Sequence, residues 1–332
     1  MFVGMDVHRN RTQICVLDSK ENEVRNRNVT NDRQALRKEL AGLRRGTPVA
    51  FEAAYGTGWI AELLGDLGFE AHLAHPSGCR AIADAKLKND RVDARTLANL
   101  LRTGYLAEAW LAPEEVREQR LLLRERARLV RIRTTAKIRI RAQIADEGVP
   151  SPSHGLWTKE GATWLDALDL SPMHRWVVTD CQALIDVLQS RISLLEAEIR
   201  RQAKPDKRID ALTAIHGIGF LSAMTLVSEI GDISRFATAR KLCSWAGIIP
   251  SMRNSDRTVH HGHITRAGPS AVRHVLAEAA QVAIRKEPYH SDYLATKQRR
   301  GTGIALVRVS RKLLTEAFYV LKALEDEQRQ CS

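Results

Sequence analysis

The chain has 332 residues, with 51 Lys+Arg against 39 Asp+Glu and a formal net charge of +12. Hydrophobic residues are 44% and charged residues 27%, a globular mix that excludes a wholly disordered chain. No apolar run approaches the ~20 residues of a membrane span, and the positive balance points to a polyanion, nucleic acid first. Aromatics at 5% are too few for base stacking to lead, so arginine–phosphate contacts are the expected source of affinity. The five cysteines (Cys15, Cys79, Cys181, Cys243, Cys331) are scattered and form no CxxC pair. That argues against a disulfide framework and a zinc site, and predicts a reducing, cytoplasmic setting. An apolar start with Asp6 inside it and no basic stretch before it predicts no secretory signal.

Residues 2–7 (FVGMDV), 11–18 and 23–30 read as three short strands with tight links, hence an antiparallel meander. Asn31 is positioned to cap a helix running to about Arg44, and residues 47–52 form a strand ending in Glu52. Gly56 and Gly58 lead into a helix to about Leu67, followed by a strand over 69–74. Asn89 caps a helix from Asp90 to Arg102. Antiparallel strands first and crossover strands afterwards give a mixed sheet with helices on its faces. This order resembles that of ribonuclease H-like nucleases and integrases.

The acidic residues sharpen that reading. Asp is depleted in strands, and a buried unpaired charge is costly, so Asp6 inside an apolar strand needs a reason. Glu52 ends the fourth strand, and Asp90 and Asp93 are three apart on one helix face. Each has an ordinary reading. Asp6 fits an edge position, Glu52 a helix cap, Asp90 a helix N-terminus, and Asp93 a pair with Arg91 or Lys86. In this fold, however, strands one and four are usually neighbours and the last helix packs over their ends, so all four are expected to converge on one spot. Four close carboxylates repel unless cations hold them, and hard oxygen ligands suit Mg2+ or Mn2+. Two such ions stabilise the attacking and leaving oxygens of phosphoryl transfer.

The segments MDVH, FEAAYGTG and KNDRVDARTLANLL resemble the N-terminal half of the DEDD transposases of insertion-sequence family 110, a group that includes the Piv-type DNA invertases. The resemblance continues into the C-terminal half. It implies a RuvC-like catalytic domain with Asp6, Glu52, Asp90 and Asp93 as the D-E-D-D carboxylates and metal ligands. It also implies double-stranded DNA at element ends and target as substrate, a structured guide RNA from the element, and action as a homo-oligomer (dimer or tetramer).

Ala112-Pro113-Glu114-Glu115 is a helix start, and no Gly or Pro interrupts before Gly148. Such a helix spans about 50 Å. Its basic residues include Arg124, Arg128, Arg131, Lys137 and Arg141, the expected nucleic-acid contacts of this arm, against a solvated charged face as the ordinary reading. Residues 148–172 look loop-like, and a second long helix runs from about Met173 to Gln202. The pair predicts an antiparallel hairpin or a dimerising coiled coil.

Beyond Pro205, Leu212, Ile215, Gly217, Gly219 and Ala223 follow a helix-hairpin-helix spacing whose Gly-Ile-Gly turn frees backbone N–H groups for a DNA phosphate. A plain tight turn is the alternative. The family carries a serine about five residues after the proline, which counts from Pro250 to Ser255, although Asp256 stands where the family often has glycine. The resemblance implies that Ser255 is the nucleophile that forms a phosphoserine link to DNA, with Ser251 its nearest competitor. Arg253, Arg257 and Arg266 are placed to neutralise phosphate. His260, His261 and His263 lack metal-site spacing and are expected to face phosphate or solvent. Tyr289 and Tyr293 lack the surroundings of a tyrosine recombinase, and no Walker motif implies ATP. The tail, 304–327, reads as an amphipathic packing helix.

The expected fold class is therefore α/β plus α. A ribonuclease H-like (RuvC-like) mixed sheet over 1–108 precedes a long helical coiled-coil arm over 109–204 and a mostly helical C-terminal transposase domain over 205–332. The expected function is Mg2+-dependent (or Mn2+-dependent) DNA cleavage and strand exchange for an insertion sequence, in the bacterial cytosol at the nucleoid, away from membranes. The alternatives are a Holliday-junction-type nuclease using water, and a non-catalytic nucleic-acid-binding protein.

Overall fold

A computed structural model of the chain describes residues 1–52, 56–75, 78–79, 89–153, 155–255 and 258–330; the side chains of 252–255 and 258–261 lie outside that description. The chain divides into two compact units, Met1–Glu114 and Glu115–Ser332.

The first unit holds strands β1 (Phe2–Val7), β2 (Arg11–Leu17), β3 (Glu23–Thr30), β4 (Pro48–Glu52) and β5 (Glu70–Ala74) in one sheet of order β3-β2-β1-β4-β5. The β1–β2 and β2–β3 pairs are antiparallel, and β1–β4 and β4–β5 are parallel. This is the predicted meander followed by crossovers. Alternation divides the sheet into two faces. On one face Val3, Met5, Ile14, Val49 and Phe51 pack with helices α1 (Arg33–Leu40) and α2 (Thr57–Asp66) through Leu36, Leu40, Ile60, Leu63 and Leu64. On the other face Cys15, Leu17 and Ala50 meet Ala94, Leu97 and Ala98 of helix α3 (Asp90–Arg102).

Helix α1 starts and stops differently from expectation. Its cap is Asp32, whose side chain accepts from the Ala35 N–H, and it ends at Leu40. Gly42 adopts φ +84° just beyond, and that left-handed backbone cannot extend the helix to Arg44. Helix α3 matches expectation, with the Asn89 side chain accepting from the Val92 N–H.

The second unit is helical. Helix α4 (Glu114–Asp146) and helix α6 (Pro172–Ala203) run antiparallel, because Arg126 pairs with Glu196 at 2.8 Å, Arg133 bonds Gln189, and Ile140 and Ile144 pack with Val178 and Cys181. The connection is not all loop. It contains helix α5 (Lys159–Ala167), started by Thr158, whose hydroxyl accepts from the Gly161 N–H. Leu122, Leu123 and Ile199, at the other end of the hairpin, join the core of the remaining helices. Those are α7 (Lys207–Thr213), α8 (Phe220–Ile230), α9 (Ala239–Trp245), α10 (Ser270–Ala283), α11 (Tyr289–Arg300) and α12 (Thr302–Gln330). Strands β6 (Pro250–Ser255) and β7 (Thr258–Ile264) form an antiparallel hairpin. Alternating Thr258, Val259, His260 and His261 gave little apolar signal, and only pairing with β6 makes a strand of them.

Candidate active site on the first sheet

β1 is the centre of the site. It is the middle strand, so its backbone is fully paired and Asp6 is held rigidly. Asp6 is only 8% exposed. Val3, Gly4 and Met5 pair with Val49, Ala50 and Phe51, so the next position along each strand sets Asp6 beside Glu52 at the end of β4. The first turn of α3 brings the other two carboxylates. Gly4 makes this possible. A Cβ there would lie 2.0 Å from the Ala94 carbonyl oxygen and 2.5 Å from the Ala98 nitrogen, so only glycine lets α3 lie directly on β1. Gly4 and Asp6 share a face, and the helix that covers Gly4 therefore starts over Asp6.

One participant escaped the reading of the sequence. The His8 Nε2 lies 3.2 Å from Asp6 Oδ2 and 3.4 Å from Asp90 Oδ1. Asp6, His8 and Asp90 each offer a ligand atom, all within 4.8 Å of one another. The signal was present in the Asp-x-His spacing, since residues two apart on a strand point to the same side.

The electrostatics tie the four carboxylates together. Burial pushes the Asp6 carboxyl above the usual carboxylate range; His8 opposes this, while Asp90, Asp93 and Glu52 add to it. The ordinary readings of the acids fare unevenly: Asp90 and Asp93 do lie in the first turn of α3, where acids are favoured, but Asp6 stands on a central strand and not at an edge. Helix α2 is preceded by Gly56 and has no side-chain cap, so Glu52 does not cap it. Arg91 pairs with Glu23 at 3.0 Å rather than with Asp93. Lys86 lies outside the described residues. Arg95 and Arg102 pair with Glu21, at 3.7 and 3.0 Å. Basic residues near the site thus clamp α3 onto the rim of the sheet and leave its carboxylates to one another. An acid pair and a histidine around a buried aspartate form an oxygen-rich donor set that fits a hard divalent cation.

The second unit carries the other predicted residues. Ser255 ends β6 and pairs with Thr258, flanking residues 256–257. Its side chain and that of Arg253 are not described, and Arg257 lies outside the described residues. The Ser251 hydroxyl donates to the His263 carbonyl at 3.2 Å. Tyr289 is buried in the helical core and bonds Glu316; burial and that carboxylate raise its phenol far above the usual range. It is no exposed nucleophile. In the helix-hairpin-helix segment, Gly217 has φ +100° and its missing Cβ would lie 2.6 Å from the Ala279 carbonyl, so this glycine serves packing against α10. A Cβ at Gly219, just before α8, would meet open space.

The arginines of α4 divide by role. Arg120 donates to the Ser228 and Glu229 carbonyls at 2.9 and 3.0 Å, closing the end of α8. Arg124 reaches the Glu229 carboxylate at 3.3 Å yet stays largely exposed. Arg128 is exposed beside Glu125, and Arg131 is exposed. Lys137 and Arg141 lie over the Trp157 ring, at 4.5 and 5.8 Å from its centre.

Comparisons with known proteins agree with this architecture. Residues 3–147 match a transposase family model of the DEDD type from insertion-sequence family 110, and residues 209–295 match the model of the IS116/IS110/IS902 transposase family. A Sinorhizobium fredii protein named as a transposase is 30% identical over 286 residues, covering 84% of this chain and 70% of the relative. A Pseudomonas aeruginosa protein named as a family 20 transposase is 25% identical over 325 residues, 93% of each chain. The transposase for insertion sequence element IS1111A of Coxiella burnetii is 24% identical over 320 residues, 94% of this chain and 86% of the relative. Sheet, carboxylates and matches over both units lead to one conclusion: the chain belongs to the DEDD transposases of the IS116/IS110/IS902 family, enzymes of DNA transposition that use a divalent metal.

Proposed function

We propose that this insertion-sequence transposase cuts DNA at a Mg2+ site held by Asp6, Glu52, Asp90 and Asp93, with Ser255 as the nucleophile. The observation that carries the reading is Asp6. A carboxylate on a central strand, buried and repelled by three more carboxylates, is costly to keep unless a cation is its purpose. A bound divalent cation would supply charge stabilisation for the attacking and leaving oxygens of phosphoryl transfer.

The residues have separable roles. Asp6 fixes the centre, because β1 cannot move without breaking pairing on both sides. Asp90 and Asp93 are delivered by α3, and Glu52 by β4. His8 orients Asp6 and Asp90 from the rim of the site. In the serine step, the Ser255 hydroxyl gives up its proton and its oxygen bonds to phosphorus. The displaced deoxyribose oxygen leaves and takes a proton, so a phosphodiester is exchanged for a phosphoserine ester. The exposed Arg124, Arg128, Arg131 and Arg141 and the half-buried Lys137, with Gly217, Gly219, Arg253 and Arg257, are proposed to contact nucleic-acid backbone. The same reading includes a structured guide RNA, a homo-oligomer, and a site of action at the nucleoid in the cytosol. Among the described residues, no helix is long and apolar enough to cross a membrane.

The test is a trapping assay. The protein is expressed with its flanking element DNA, lysed in denaturant, and probed for protease-sensitive DNA–protein adducts. Adducts in wild type and none in Ser255→Ala or Asp6→Asn are expected. Cut DNA without adducts would replace serine with water as the nucleophile. Full activity in Asp6→Asn would refute the carboxylate site.

A further inference from the structure

A second positively charged feature lies apart from the long helix α4. A cavity of about 990 Å3 opens in the second unit between the base of the β6–β7 hairpin and helices α11 and α12. Its lining includes Arg266, Arg299, Arg300, Arg308, Arg311 and His263. Among the described residues that line it there is no carboxylate. Ile248, Ile264 and Ile304 make its apolar surface. The neighbouring smaller cavity contains Asp292, which pairs with Arg308 at 3.2 Å and with Lys312 at 2.6 Å. Arg308 is thus partly neutralised, and Arg299 donates to the Ala295 carbonyl. Arg266, Arg300 and Arg311 make no side-chain hydrogen bond or ion pair among the described residues. Three arginines that line one cavity and have no ion-pair partner among the described residues give it a positive balance that favours a polyanion.

We infer that this cleft binds the phosphate backbone of a DNA strand through Arg266, Arg300 and Arg311, next to the hairpin that bears Ser255. Arginine is suited to the task because its planar fork donates two parallel hydrogen bonds to one phosphate. The size lies at the top of the ~300–1,000 Å3 range of ligand pockets, and a strand would set its sugars and bases against the isoleucines. Position argues for the substrate strand in particular. Ile264 pairs with Pro250 at the base of the hairpin, and Ser255 pairs with Thr258 at its far end, so a strand in the cleft runs from the root of the element that presents the serine. Strand placement is then a function of the folded helical core, separate from that of the arm. This assignment rests on the reading of the chain as a DNA-cutting transposase, but its test does not depend on the chemistry.

The experiment measures binding by fluorescence anisotropy in EDTA, where cleavage plays no part. The probes are single-stranded DNA, duplex DNA and single-stranded RNA of one length, titrated against salt. Arg300→Ala combined with Arg311→Ala is compared with the charge-matched Arg37→Ala with Lys38→Ala in the first unit. Thermal melting of each checks folding. The cleft variant is expected to bind DNA about tenfold more weakly, while the control matches wild type. Its salt slope should fall by about 1.8 on duplex or about 1.4 on single strands, which tells which form is held. DNA binding and salt slope equal to the control would overturn the proposal, as would a loss confined to RNA. Intact serine adducts alongside an unchanged cleft variant would reject the cleft and leave the catalytic reading standing.

Discussion

Gly4→Ala tests the link between sheet packing and the carboxylate site. The new Cβ would lie 2.0 Å from the Ala94 carbonyl oxygen, where real contacts do not fall below 3.0 Å, so α3 must retreat by about 1 Å. The obstacle is helix backbone, which yields only as a unit. Overpacking of this kind costs roughly 1–3 kcal/mol. For a unit of this size that lowers its melting temperature by about 5–15 °C. The retreat also carries Asp90 and Asp93 away from Asp6, and a misplacement of about 1 Å costs on the order of 100-fold in rate. The assay pairs calorimetry with element excision in cells. Gly65→Ala is the control, because a Cβ there meets nothing within 4 Å. Excision at wild-type level in a Gly4→Ala protein that melts normally would refute the claim that this glycine sets the helix on the site.

Three other outcomes follow from the same geometry. Asp6→Asn removes a buried carboxyl whose folded-state value is raised, and such a group makes the folded protein less stable as pH rises above the ordinary carboxylate value. Metal-free Asp6→Asn should therefore melt higher than wild type at neutral pH, with the gain fading on acidification. Added Mg2+ should stabilise wild type alone; equal Mg2+ shifts in both proteins would contradict the site. Glu229 is buried between Arg120 and Arg124, so Glu229→Ala should cost about 3–5 kcal/mol in urea unfolding by removing the carboxylate that offsets the Arg120 charge; a loss under about 1 kcal/mol, typical of exposed pairs, would argue against that pairing. Gly217→Ala should destabilise the helical unit through its φ of +100° and its contact with Ala279, whereas Gly219→Ala should be tolerated; equal melting of the two variants would deny the distinction.

Much of the first unit was legible because its signals are local. Strand alternation, the Asn89 cap and the three-residue spacing of Asp90 and Asp93 require only neighbours in sequence. Asp6 stood out because an apolar strand has no local use for a charge. Other features were not local. His8 gained its place only when α3 brought Asp90 to it, and Gly4 gained meaning only from the backbone of that helix. Glycine in a strand announces a close approach without naming what approaches. The β6–β7 hairpin left little trace in the sequence because strand pairing, not hydropathy, holds it.

The second unit makes the same division. Periodicity announced the two long helices, and their continuous apolar positions announced that they pack. Which arginines remain available was decided in three dimensions. Arg120, Arg126 and Arg133 are consumed by Glu229, Glu196 and Gln189, and no rule of spacing separates them from Arg131. Arg266 and Arg311 lie 45 residues apart in sequence yet line one cavity. The sequence by itself determined the class of chemistry, because carboxylates on defined elements and a basic balance are properties of residues and their order. Tertiary structure alone decided which charges face one another, because Coulomb interactions depend on distance and burial, and only the packed chain sets those.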